Sequence, residues 1–347
     1  IVTQRHSPAR YLAMNLLRRG GIRLRDVVWR YPETLERRMA TFQGHDDIAA
    51  WAGVDRKSET LDKTGRGTRV LVNTTMASRL LTFVLLARGD FADGQDPICE
   101  ALVRESLLAA KRLRTDEGKR RRSILLKEIP NTNNAEAVGT QQFRLVGVSE
   151  NEQFFAESPA IPGFRALWRV ACAIFRETGE IKGPPVDPAA VIRNKHLRRL
   201  GKLEAISSSI PTRVQFEPRT ISPAEIDTFS FLTMTWYIRF FPSSSDLYAK
   251  NPTDGKLYDP SVDSMLSEMH AAISHFPSSR IAIEGHTDNS NQGQVEEERA
   301  RELSQKRAAA VRDALVNQYG HDPDRFTVIG HGWNRLLDTS NHMKNRR

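Results

Sequence analysis

The side chains best placed by type and spacing to do chemistry lie in the last quarter of the chain. Residues Ile281-Ala-Ile-Glu-Gly-His-Thr-Asp288 read as a strand that ends in a short polar loop. Leu303-Ser-Gln-Lys-Arg-Ala308 lies on a helix that follows, and Gly330-His331-Gly332 comes after a second strand. An aspartate carboxylate such as Asp288 attracts an ammonium group. An arginine guanidinium such as Arg307 holds a carboxylate through two parallel N–H bonds. Each also has a plainer reading, Asp288 as a loop or helix-cap residue and Arg307 as a surface charge. His286 is an electrophile or metal ligand by type. No second histidine stands at ligand spacing, so it is expected to hydrogen-bond within the strand–loop turn, with no metal and no cofactor.

Other reactive side chains are less informative. Lys111-Arg-Leu-Arg114 and Lys119-Arg-Arg-Arg122 could meet phosphates, but no aromatic residues are interleaved with them. They read as a solvated helix face and loop. Cys99 and Cys172 are too few for a disulfide framework. They read as small core residues, with one bridge possible in an oxidising compartment. There is no nucleophile elbow, phosphate-binding loop, His-Glu-x-x-His helix or carboxylate pair in an apolar strand. The expectation is a protein that is not an enzyme.

The elements that must position these groups follow from periodicity. The 347 residues suggest roughly two domains, and 39% hydrophobic with 27% charged residues excludes a mostly disordered chain. A net charge of +9 favours an acidic partner without choosing among nucleic acid, anionic lipid and cell-wall polymer. No apolar run reaches the ~18–20 residues of a membrane helix; the longest, Leu80 to Ala87, reads as a buried strand or helix. Residues 1–201 alternate short apolar runs with amphipathic stretches, an α/β pattern. Ser7-Pro8 opens a helix that Gly20-Gly21 ends. Asp26–Trp29, Asp47–Trp51 and Arg69–Asn73 read as strands. Leu35, Met39 and Phe42 form a buried helical stripe, and Leu102, Leu107 and Leu108 lie on another helix. Residues 202–235, with three serines in a row and three prolines, read as a linker. Residues 236–347 read as β-α-β-α-β, starting with a strand at Trp236–Phe241. Both helices are expected on one face of a small mixed sheet, an α+β domain.

The ordered set of Gly285-His-Thr-Asp288, Leu303-Ser-x-x-Arg-Ala308, Gly330-x-Gly332 and Asn345-Arg346-Arg347 resembles the OmpA-like (OmpA/MotB C-terminal) peptidoglycan-binding domain over residues 236–347. That resemblance implies a ligand, the diaminopimelate of an uncross-linked wall peptide, whose terminal carbon bears an ammonium and a carboxylate. Asp288 would take the first and Arg307 the second, with Thr287 and Asn289 beside them. Three departures bear on affinity. The Asn289–Glu302 loop is longer than usual and Glu-rich, Ala300 replaces an asparagine, and Leu336 replaces a proline. The family's final strand would follow Arg347.

Ser7-Pro-Ala-Arg-Tyr-Leu12, Gly44-His-Asp-Asp-Ile-Ala-Ala-Trp51, Asn151-Glu-Gln-Phe-Phe155 and Phe175-Arg-Glu-Thr-Gly179 with Pro184-Pro-Val-Asp187 are similar to a periplasmic solute-binding protein of the NitT/TauT type. The fused arrangement is that of phosphate-type ABC transporter substrate-binding/OmpA family proteins. It implies capture of a small anionic solute for an ABC transporter permease. The helix start around Ser7 to Arg10 would supply N–H groups, dipole and charge, and Trp51 and Asp55 would line the cleft. The family's first lobe segment, which normally precedes Ser7, is missing, so half of that cleft is.

Together these features describe a non-enzymatic protein of the bacterial periplasm or cell envelope, with a wall anchor behind a solute-binding-like domain. The chain begins Ile1-Val2-Thr3 without an initiator methionine, and is expected to be a piece of a longer protein. Membrane association through a preceding segment stays open. One alternative is an envelope scaffold or motor-stator-like protein whose first domain contacts protein. Another is a basic nucleic-acid-binding protein, although nucleic acid is not the expected partner.

Overall fold

The computed structural model describes residues 1–53, 68–74, 76–113, 115–118, 120–121, 146–156, 162–200, 216–219, 221–290, 293 and 295–336. The chain divides into two units, residues 1–212 and 213–347.

In the first unit, helix α1 (Pro8–Arg19) starts as its sequence requires. The Ser7 hydroxyl accepts the Arg10 N–H at 3.2 Å, and Pro8 fills a position whose N–H would have no helical acceptor. Arg18 and Arg19 in the last turn suit the negative end of the dipole. Strand β1 (Val2–Thr3) pairs in parallel with β2 (Trp51–Ala52) to make a two-stranded sheet. The remaining elements are helices: α2 (Leu35–Gly44), α3 (Gly89–Gly94), α4 (Asp96–Leu113), α5 (Val148–Phe155), α6 (Phe164–Glu177), α7 (Pro188–Val191) and α8 (Lys195–Leu200). Met14, Leu24 and Ile174 form one apolar cluster, and Val148, Leu197 and Leu200 a separate one.

The described part of this unit is therefore helix-rich with a minimal sheet, and not the expected alternating α/β pattern. Residues 26–29 and 69–73 form no strand; only Arg30 bridges to Val2. The run from Leu80 to Ala87 is neither helix nor strand. Leu80 is buried, whereas Phe83 is 81% and Leu86 85% exposed. The stripe of α2 is only half-buried, and Leu102 on α4 is exposed. Both cysteines are free thiols, Cys172 buried and Cys99 half-buried. Lys111, Arg112, Arg120 and Arg121 are exposed; Lys119 and Arg122 lie outside the described residues.

The second unit holds α9 (Pro223–Phe229), α10 (Val262–Ser274), β3 (Ile281–Gly285), α11 (Glu297–Tyr319) and β4 (Phe326–Gly330). Strands β3 and β4 pair in parallel in the register Ile281↔Phe326 through Gly285↔Gly330, with α11 as the crossover helix. One contiguous core joins Val262, Leu266 and Met269 of α10 to Val311, Ala314 and Leu315 of α11, with Phe326 and Ile238. Each fully buried aliphatic side chain contributes about 1.5–3 kcal/mol. Gly320, at φ +67°, ends α11 in the left-handed conformation that a Cβ would disfavour.

Trp236–Phe241 is not the expected strand. Trp236, Ile238 and Phe240 pack on the core with the alternation of a strand, but the Arg239 N–H donates to the Asp259 carboxylate at 2.8 Å, not to a neighbouring strand. The described sheet is accordingly two parallel strands, not a mixed sheet. Burial raises the Asp259 pKa, but hydrogen bonds from the Ser261 hydroxyl and the backbone N–H groups of Arg239 and Ser261 outweigh it. The carboxyl is held below its ordinary value.

Residues 202–215 of the expected linker lie outside the described residues. The part from 216 to 235 belongs to the second unit. Ser222 and Glu225 form a capping box on α9, Phe231 packs on Phe276, and Phe216 lies under the guanidinium of Arg280.

Candidate functional site

The chemistry-bearing residues of the second unit gather where β3 and β4 end. Two glycines permit that junction. A Cβ on Gly285 would stand 2.1 Å from the Ser304 carbonyl oxygen, and one on Gly330 would stand 2.3 Å from that of Arg301. Glycine therefore lets the backbone of α11 lie directly on both strand ends. Beyond the strands the parallel pairing continues: His331 N–H donates to the Gly285 carbonyl at 2.9 Å, and Thr287 N–H to that of Gly332 at 2.8 Å. The buried Ser304 hydroxyl locks the helix onto this turn, accepting Gly332 N–H at 2.9 Å and donating to the Arg301 carbonyl.

Asp288 is buried in the loop after β3 and accepts the Ser290 hydroxyl at 2.7 Å and the Ser290 N–H at 3.2 Å. Thr287 keeps a buried hydroxyl without a hydrogen bond, and Asn289 is half-buried in the same turn. Arg307 lies one residue before Ala308, whose Cβ would be 3.2 Å from a Cβ on Gly285. Asp288 follows Gly285 by three residues, and Arg307 precedes Ala308, so both belong to the segments that meet at this strand–helix contact. The Arg307 Nε donates to the Ser244 carbonyl at 2.9 Å, Nη2 to that of Phe241 at 3.4 Å, and the guanidinium lies 4.9 Å over the Phe240 ring. The loop it holds contains Ser243 at φ +57°, a left-handed conformation that costs a non-glycine residue energy and is found at functional sites.

The three departures acquire structural settings. Glu297 and Glu298 belong to the first turn of α11, where carboxylates favour the positive end of the helix dipole. Asn334 donates to Glu297 at 2.6 Å. Ala300 is buried beneath Gly332, and Leu336 is half-buried at the end of the described residues. Asn345, Arg346 and Arg347 lie beyond that end.

His286 is not solitary. The parallel register sets it beside His331, with ring centroids 5.0 Å apart and planes at 26°. Glu284, in β3 and two residues before His286, places Oε2 3.9 Å from His286 Nε2 and 3.4 Å from His331 Nε2. Burial depresses the His331 pKa, Arg335 acts in the same direction, and Glu284 and Asp227 oppose them. The available signal was the repeated Gly-His at two strand ends, visible only once those strands are paired.

The residues expected to bind a solute fare differently. Ser7 caps α1, and its hydroxyl also donates to the Gln4 carbonyl at 2.9 Å. Arg10 is buried and donates two bonds to the Glu180 carboxylate, at 3.0 and 2.7 Å, and one to the Arg5 carbonyl. Its charge is matched by protein, and its guanidinium also lies over the rings of Trp29 and Tyr31. Trp51 folds its ring over Gly53. Asp55 lies outside the described residues.

The sequence model of the OmpA family matches residues 252–347. Outer membrane protein Omp38 of Acinetobacter baumannii is 28% identical over 121 residues, covering 35% of this chain and 30% of that protein. Outer membrane porin F of Pseudomonas aeruginosa is 38% identical over 63 residues, 18% of this chain and 17% of the porin. The chain thus spans less than a third of the curated relatives it matches. Residues 252–347 are an OmpA family domain, and nothing in the sequence or the site points to enzymatic activity.

Proposed function

We propose that the second unit binds peptidoglycan and holds the protein at the cell wall in a bacterial envelope. Asp288 would take the ammonium, and Arg307 the carboxylate, of the diaminopimelate in an uncross-linked stem peptide, with Thr287 and Asn289 lining the same turn. What supports this reading is that the segments carrying Asp288 and Arg307 meet at the Gly285–Ala308 contact, inside the stretch that matches the OmpA family. A zwitterionic carbon needs an anion and a bidentate cation close together, which one buried strand–helix junction can supply. The strained loop at Ser243, held by Arg307, supports it. For the first unit, a solute-binding role would have to rest on the α1 start without the Arg10 charge, because Glu180 already engages it.

Co-sedimentation with purified diaminopimelate-type peptidoglycan tests the proposal. Wild-type chain should pellet with the wall, and Asp288→Asn should bind about tenfold more weakly or worse, the loss of one charge-assisted contact. Arg307→Ala also releases two loop carbonyls, so Arg307→Lys, checked by circular dichroism, separates recognition from folding. Equal pelleting by wild type and Asp288→Asn, lost for both in about 0.3 M salt, would reduce the binding to basic charge on an anionic polymer and overturn the assignment.

A further inference from the structure

The Glu284, His286 and His331 side chains are not used by the peptidoglycan reading, yet they converge. One ligand-type atom from each lies within 4.8 Å of the other two. The His286 side chain is 5% exposed and that of His331 10%, while Glu284, at 25%, forms the solvent edge. The Nε2 atoms of both imidazoles face the same carboxylate oxygen, at 3.9 and 3.4 Å. His331 Nε2 is buried without a hydrogen bond, and 3.4 Å is long for a charge-assisted pair. In a tetrahedral site with bonds of about 2.0–2.2 Å, ligand atoms stand about 3.4 Å apart. The Glu284–His331 pair already has this spacing, and none of the remaining separations exceeds 4.8 Å.

The backbone beneath these groups is rigid. Glu284 lies in a paired strand, and the peptides of His331 and Thr287 extend the same parallel pairing to Gly285 and Gly332. Ligands on paired strands keep their positions better than ligands on loops. A cleft of about 370 Å³, lined by Pro223, Gln305, His331, Asn334 and Arg335 among others, opens beside His331. A competing cation is Arg335, whose Nη1 is 3.9 Å from Glu284 but whose guanidinium is held by Asp227 through bonds of 3.0 and 2.7 Å. That pairing balances most of the Arg335 charge.

We propose that Glu284, His286 and His331 form a binding site for a divalent transition metal. Two imidazole nitrogens and one carboxylate oxygen are the donor set of Zn2+ and its neighbours and not of Ca2+ or Mg2+, which take oxygen. Three protein ligands leave a fourth position to water or to an incoming group.

The test is a titration of chelator-stripped chain with Co2+, followed by visible d–d absorption, and with Zn2+ by calorimetry. Wild type should take up one equivalent at this site, with tetrahedral Co2+ bands. Loss of an outer-shell partner costs a metal site about 10–100-fold, so removal of a ligand by His331→Gln or Glu284→Gln should weaken binding more than that. Glu284→Gln keeps the volume of a strand residue and so guards against misfolding. His321→Ala removes the other imidazole pair, His270 and His321, whose ring nitrogens are 3.0 Å apart. This variant should bind as wild type does. No stoichiometric uptake by wild type, uptake unchanged in Glu284→Gln and His331→Gln, or loss confined to His321→Ala would each overturn the proposal.

Discussion

The two units differ in how their apolar residues meet. In residues 213–347, side chains from α10, α11, β4 and the Trp236–Phe240 segment share one core. Among the described residues of 1–212, small clusters of three buried residues each gather around Met14 and around Leu197. Meanwhile Val70, Leu71, Phe83 and Leu86 are exposed. Both regions have similar amphipathic stretches. What distinguishes them is long-range closure: the β3–α11–β4 crossover brings distant strands into register, whereas the β1–β2 pair is only two residues long. Local periodicity therefore makes helices in either place, but only paired strands under a helix combine them into a common interior.

The largest effect should come from attacking that crossover. Gly330→Ala places a methyl 2.3 Å from the Arg301 carbonyl oxygen and 2.5 Å from the Gln305 N, both backbone, so the helix must move away. A cost of about 3 kcal/mol or more is expected in urea unfolding of the second unit. A cost below 1 kcal/mol would show that α11 is not seated on the strand ends.

A smaller effect should follow in the first unit, where Arg10 and Glu180 tie α1 to the turn after α6. The hydrogen bond from Arg10, helped by one from Thr178 and against partial burial, lowers the Glu180 pKa below its ordinary 4.5. A depressed carboxyl contributes stability that is present above pH 4.5 and is lost as pH falls through the folded value. Glu180→Gln should cost about 2 kcal/mol near pH 7 and flatten that acid limb. An unchanged limb would place the acid sensitivity elsewhere.

The smallest effect should be Phe83→Ser. Because Phe83 is 81% exposed, its loss should change stability by less than about 0.5 kcal/mol. A cost above 2 kcal/mol would mean that the run from Leu80 is a buried element after all, and would erase the contrast between the units.

Helix starts, strand cores and the ordered motif were legible because they depend on neighbours within a few residues. Ser7 and Pro8 specify the beginning of α1, and the alternation of Ile281 to Gly285 marks the strand that the structure pairs with β4. The departures from expectation share a different cause. Trp236–Phe241 has the alternation of a strand, but the Asp259 carboxylate takes the Arg239 N–H and competes with strand pairing. Residues 216–235 have the composition of a linker, yet Phe216 and Phe231 find partners at Arg280 and Phe276.

What the amino-acid sequence determined by itself is the set of local elements, their caps and the presence of an OmpA-type motif in the last third. Only the tertiary structure decided which side chains share a site. It delivered Arg10 to Glu180, seated the backbone of α11 on Gly285 and Gly330, and brought Glu284, His286 and His331 together at the ends of two paired strands. The physical reason is register: a one-residue slip of β4 against β3 would turn His331 to the opposite face, and no short-range signal specifies that pairing. The observed register sets Gly285 against Gly330, two positions where the backbone of α11 comes too close for a side chain.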